Sequence, residues 1–152
     1  MDKLNLPRFD MKICEQNGKM LVFDPIRMLW VALTQEESVR QHFVNYLTQC
    51  LGYPKSHIAN EYSINVNGAL RRCDSIIYDN KGHAKIIVEY KAPSVKITSR
   101  VFTQILQYNL KLRVEYLIVS NGIEHYVVKL EGEEGKYRFE NRVPLYSEIC
   151  NR

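Results

Sequence analysis

A mixed α/β domain, with a central β-sheet flanked by helices, is what the order of patterned segments in this 152-residue chain predicts. Three observations carry it. Two stretches, 34–51 and 98–113, hold apolar residues at helical spacing. Runs rich in β-branched and aromatic residues lie between and after them, at 58–66, 72–78, 85–91, 115–120 and 124–130. The order helix, three strands, helix, strand, strand places helices against a sheet rather than in a bundle.

Residues 1–19 read as an irregular arm, followed by two short apolar segments at 20–23 and 28–32 that flank Asp24-Pro25 and suit a small peripheral hairpin. Thr34 is a natural N-cap for the first helix, and Glu36 and Glu37 sit where the helix dipole favours acids. Gly52, ahead of Tyr53-Pro54, ends it. Val39, Phe43, Tyr46, Leu47 and Cys50 form one apolar stripe, and stepping back along it reaches Glu36. Glu37 lies roughly a hundred degrees around the helix. The expected inward-facing acid is therefore Glu36, with exposure at the helix end as the plain alternative and Glu37 as its neighbour.

Asn80-Lys81-Gly82 makes a turn between the second and third core strands. With Lys81-Gly82 as a two-residue turn, Asp74 falls opposite Glu89, and Lys91 shares their face. Thr98 or Ser99 opens the second helix, in which Val101, Ile105, Tyr108 and Leu112 are placed toward the core, with Gln104 and Tyr108 as neighbours four apart. Asn121-Gly122 joins the last two core strands. The tail begins with EGEEGK, read as a solvated turn, and continues in short extended pieces holding Tyr137, Phe139 and Leu145. One domain spans 1–152, as an arm (1–19), a core (34–130) and a C-terminal extension (131–152).

The net charge of +4, with 45% hydrophobic and 25% charged residues, is a globular composition that permits a nucleic-acid partner without demanding one. Cys14, Cys50, Cys73 and Cys150 form no Cys-x-x-Cys pair, and the four histidines lack zinc-ligand spacing, which points to free thiols in a reducing cytoplasm. No apolar run has the length of a membrane span, and MDKLNLPRFD has no signal-peptide character. No Gly-x-Ser-x-Gly elbow and no cysteine–histidine dyad supports covalent catalysis.

The segment IIVEYKAP concentrates the chemistry. An apolar strand that carries Glu89 and Lys91 on one face, opposite Asp74, must compensate two adjacent carboxylates. A shared proton is one remedy. A divalent cation is the other, and hard oxygen donors suit Mg2+ or Mn2+, with Lys91 beside it to offset charge in the hydrolysis of a phosphodiester. A surface ion-pair cluster is the plain alternative. Gln104 and Tyr108 can reach such a site or serve as ordinary helix residues. Arg71 and Arg72, ahead of Asp74, could clamp phosphates or open a solvated strand. Lys96, Arg100, Lys111 and Arg113 extend the positive charge, and some of the ten tyrosines could stack bases.

Asp74 followed by Glu89-Tyr90-Lys91 resembles the PD-(D/E)XK nuclease signature, and Gln104-Ile-Leu-Gln-Tyr108 resembles the Gln-x-x-x-Tyr motif of that superfamily's exonuclease branch. LTQEESVRQHFVNYLTQCLGYPKSHI, RRCDSIIYD, IIVEYKAPSVKIT and YLIVSNGIEHYVV resemble the family named for the N-terminal domain of the type I restriction enzyme R subunit, over about residues 20–148. The resemblance implies a restriction-endonuclease-like core and a metal-dependent DNA nuclease. Asp74 and Glu89 would hold Mg2+ (or Mn2+), Lys91 would be the catalytic lysine, and Gln104 and Tyr108 would support the site or contact a nucleic-acid backbone; Arg72 joins the supporting residues by its position ahead of Asp74 alone. Glu36 would match the acid of the first core helix. The position before Asp74, usually proline, is Cys73. R subunits carry a motor after the nuclease, but this sequence has no Gly-x-x-x-x-Gly-Lys-Ser/Thr loop for ATP. DNA, a second copy or a larger nuclease complex are the implied partners. A non-cleaving nucleic-acid-binding or assembly module of the same fold is the alternative.

Overall fold

A computed structural model describes residues 3–66, 68–131 and 135–150. The chain opens with a three-stranded antiparallel sheet, β1 (Ile13–Gln16), β2 (Lys19–Asp24) and β3 (Leu29–Ala32). The expected irregular arm thus contains a strand. Its cause is the pair Asn17-Gly18, both with positive φ (53° and 76°), the backbone that a tight hairpin turn requires.

Helix α1 (Gln35–Cys50) follows, with the Thr34 side chain accepting from the Glu37 amide at 3.0 Å. Gly52 leaves the helix at φ 81°. The main sheet has six strands in spatial order β4 (Ile58–Val66), β5 (Ala69–Tyr78), β6 (Ala84–Tyr90), β7 (Tyr116–Ser120), β8 (His125–Glu131) and β9 (Lys136–Glu140). All neighbours are antiparallel except β6 and β7. That parallel pair needs a crossover. Helix α2 (Ser99–Asn109) supplies it, capped by Thr98, extended by a 3-10 turn at Leu110–Leu112 and stopped by Arg113 at φ 53°. A short helix, α3 (Tyr146–Ile149), lies in the tail, where only extended pieces are expected from sequence.

Each face of the sheet carries its own core. On one face, Val39, Phe43 and Leu47 of α1 pack with Ile77, Ile86, Val88 and Ile118. On the other, Phe102 and Leu106 of α2 pack with Ile76, Ile87, Leu117 and Val119. β6 is covered on both faces, which is why it reads as a nearly continuous apolar run. Two predicted helix faces shift. Cys50 is exposed rather than part of the α1 stripe. On α2 the buried residues are Phe102, Leu106 and Asn109, one position beyond the expected Val101, Ile105 and Tyr108, and Tyr108 is exposed. Residues 132–134 of EGEEGK, and the side chain of Lys111, lie outside the described residues. No helix among the described residues is long and apolar enough to cross a membrane.

Candidate active site

The β5–β6 register pairs Ser75 with Val88, Ile76 with Ile87 and Ile77 with Ile86. Asp74 and Glu89 are the next residues in the same alignment. The turn differs from the two-residue form expected. Asp79 donates its amide to the His83 carbonyl at 2.9 Å, enclosing Asn80, Lys81 and Gly82. The Asp79 carboxylate accepts from the amides of Lys81 and His83. The ladder then jumps from Tyr78–Ala84 to Ile77–Ile86, leaving Lys85 as an extra residue on β6. The longer turn and the bulge offset one another, so the alignment of Asp74 with Glu89 survives.

At Asp74 the sheet becomes irregular. On the β4 side the register joins Asn60 to Ser75 and Tyr62 to Cys73 but passes over Glu61, whose φ is 53°. On the β6 side the ladder stops at Ser75. Cys73 and Ile76, three residues apart, both pack in the α2-side core, so strict alternation breaks between them. The Asp74 carboxylate consequently sits between the strands. Its Oδ2 accepts from the Tyr90 amide at 2.8 Å, and its carboxyl is hydrogen-bonded to that of Glu89.

Glu89 has its pKa pushed well above the usual carboxylate range. Burial is the largest cause, and the charge of Asp74 and the carboxyl–carboxyl hydrogen bond add to it; Asn109 and Lys91 act in the opposite direction. Glu89 Oε1 is buried without a hydrogen-bond partner, and so is Oδ1 of Asn109. Both residues face an open pocket of about 370 Å³, lined also by Arg72, Lys91, Gln104, Ile105 and Tyr108. Five residues singled out from the sequence, Arg72, Glu89, Lys91, Gln104 and Tyr108, therefore meet in one place. The Lys91 amide donates to the Ser120 carbonyl at 2.9 Å, which fixes the strand end carrying the lysine. The Arg71 guanidinium lies over the Tyr108 ring at 4.2 Å, and Arg72 pairs with Glu61 at 2.6 Å. Lys96, Arg100 and Arg113 are exposed. Asn109 was not expected here, because an asparagine near a helix end reads as a terminus signal and not as a buried ligand.

The first-helix acid is the main correction. Glu37, not Glu36, is buried. It accepts from Arg27 Nη2 at 2.8 Å, Arg40 Nη2 at 2.8 Å, Arg40 Nε at 3.1 Å and Gln41 Nε2 at 2.9 Å. Burial pushes the Glu37 carboxyl up, but hydrogen bonds and charge from Arg40, with Gln41 and Arg27, outweigh it and hold the pKa below its usual value. Glu36 is exposed and lines a smaller cavity of about 130 Å³ on the α1 side, with Thr34, Glu37, Arg40, Glu61, Asp74 and Tyr90. The extrapolated stripe failed because α1 buries a second, polar row, Glu37, Arg40 and Gln41, beside its apolar one.

Chemically, the α2-side pocket offers the Glu89 carboxyl with its partnerless oxygen, an amide oxygen and an ammonium group; Asp74 is not among its lining residues but lines the α1-side cavity, and its carboxyl adjoins that of Glu89. Among the described residues no group of three or more His, Cys, Asp and Glu side chains is gathered to hold a metal on its own. Two carboxylates fit Mg2+ or Mn2+, which commonly keep several waters. A family model described as "Type I restriction enzyme R protein N terminus" matches residues 35–144. No curated protein matches the chain.

Proposed function

Because the chain belongs to the type I restriction enzyme R protein N-terminus family, we propose that this restriction-related nuclease domain hydrolyses DNA phosphodiester bonds at Asp74, Glu89 and Lys91, with Glu89 and Lys91 in the α2-side pocket and the Asp74 carboxyl beside Glu89. The proposed core is restriction-endonuclease-like and of the PD-(D/E)XK type. The single observation that carries the reading is Glu89 Oε1, buried and partnerless beside a second carboxylate in an open, cation-lined pocket.

Asp74 and Glu89 would hold Mg2+ or Mn2+. When bound, the ion neutralises the carboxylate pair and supplies Lewis acidity toward a phosphoryl oxygen. Lys91 brings a compact positive charge to the rim, where it offsets the charge that grows on the phosphoryl oxygens in the transition state. Asn109 orients the Glu89 carboxyl. The Gln104 amide and the Tyr108 hydroxyl bind substrate backbone from the opposite wall, while Arg71 and Arg72 draw phosphates toward it. The work is done on cytoplasmic DNA, in a larger complex or as a homodimer, since one site breaks one strand at a time.

One observation favours a second reading, a non-cleaving nucleic-acid-binding or assembly module. The Asp74 carboxylate is already engaged by the Tyr90 amide and by Glu89. Incubation with linear, circular and single-stranded DNA separates the two. Cleavage in Mg2+ or Mn2+, absent in EDTA and reduced at least about a hundredfold in Lys91→Ala and Asp74→Ala, is the expected result. Lys91→Ala should still bind the cation. DNA binding with no cleavage under any of these conditions supports the module.

A further inference from the structure

We infer that Arg40 is a positioning residue for Asp74, acting from the α1 side, where both residues line one small cavity; the catalytic meaning of that role rests on the nuclease reading above. Asp74 lies at a fault in the sheet, passed over by the β4 ladder and beyond the end of the β6 ladder. A backbone released from its ladder on both sides needs another constraint to fix one conformation. Arg40 provides it. Nη1 donates to the Asp74 carbonyl at 2.8 Å.

The guanidinium is itself held on every side. Nε and Nη2 bond to the two oxygens of Glu37, Nη2 pairs with Glu61 at 2.9 Å, and its carbon lies 5.8 Å from the centre of the Tyr90 ring. Arg40 is only 7% exposed. Each tether reaches a part of the fault. Glu61 is the positive-φ residue that interrupts β4. Tyr90 gives its amide to Asp74 and its hydroxyl to Ser75 at 2.9 Å, and Ser75 in turn bonds Asn60 at 2.7 Å. One planar fork thus ties α1, the positive-φ residue Glu61 of β4 and Asp74 into a fixed arrangement. A lysine has no fork, so it can take the carbonyl or the carboxylates but not all at once.

Amide hydrogen exchange in the cation-free protein tests this, because the Tyr90 amide reports directly on where the Asp74 carboxylate lies. Two variants guard against loss of fold: Arg40→Lys, which keeps the charge, and Arg40→Gln combined with Glu37→Gln, which removes one charge of each sign. Asp74→Ala is the control for a lost acceptor. The expected result is Tyr90 exchange about tenfold faster in both variants, moving toward the control, with Val88 and Leu117 unchanged. Unaltered Tyr90 exchange overturns the proposal. So does equal acceleration of all core amides, which would assign Arg40 to general stability. The outcome is independent of cleavage. If wild type neither cuts DNA nor binds Mn2+ while Tyr90 responds as expected, the positioning role stands and the nuclease reading falls.

Discussion

Glu89 carries a carboxyl subject to opposing demands. Its partnerless Oε1 costs about 1–3 kcal/mol relative to a satisfied group. Burial and Asp74 raise its pKa in the fold. A carboxyl whose folded pKa lies above its unfolded value contributes stability that is fully present below the unfolded pKa and is lost as pH rises through the folded one. Glu89→Gln should therefore stabilise the cation-free protein at neutral to alkaline pH, by about 1–3 kcal/mol, with the difference shrinking as the medium is made acidic. Thermal unfolding across pH, in EDTA, reads it. Glu37 and Asp24 have lowered pKa values, so their contribution runs the other way and is lost as pH falls through those values. Wild type should be most stable between the two limits.

At the scale of elements, α1 decides how the site is backed. Removing the charge of Glu37 leaves buried Arg40 without its main partner, so Glu37→Gln should cost about 3–5 kcal/mol. Glu36→Gln, at an exposed position, should stay within about 0.5 kcal/mol. Chemical denaturation of the pair measures the contrast, and equal effects would return the inward role to Glu36. The sequence makes much of this architecture legible. Thr34 and Thr98 announce their helices through side chains that bind the first-turn amides, and the register of β5 on β6, continued one residue past Ser75, aligns Asp74 with Glu89. Periodicity misjudged both helix faces for one physical reason. Apolar counting treats a polar side chain as solvated, whereas Glu37, Arg40, Gln41 and Asn109 are buried through mutual or backbone hydrogen bonds. Asn17-Gly18 is a hairpin signal that the strand before it, Ile13–Gln16, masks because it is only four residues long and carries Glu15 and Gln16. The sheet fault at Asp74 has no local signature, since it depends on Glu61 adopting a backbone normally left to glycine.

Over the whole molecule, a sheet covered on both faces carries the site where β5 leaves β6, open toward α2 and braced from α1. The net charge of +4 gives only a weak general attraction for DNA, so binding should depend on the few cations near the pocket. Arg71→Ala with Arg72→Ala should weaken DNA binding across sequences and lower the magnitude of its salt slope by about 1–2. Titrating binding against salt checks this; an unchanged slope would place the phosphates elsewhere. The most direct test of the central claim is calorimetric titration of Mn2+ into the wild type and Glu89→Gln, both previously stripped with chelator. One binding event is expected in the wild type, accompanied by proton release as the shared carboxyl ionises, and its loss in Glu89→Gln. No binding in either protein, or equal binding in both, would contradict it.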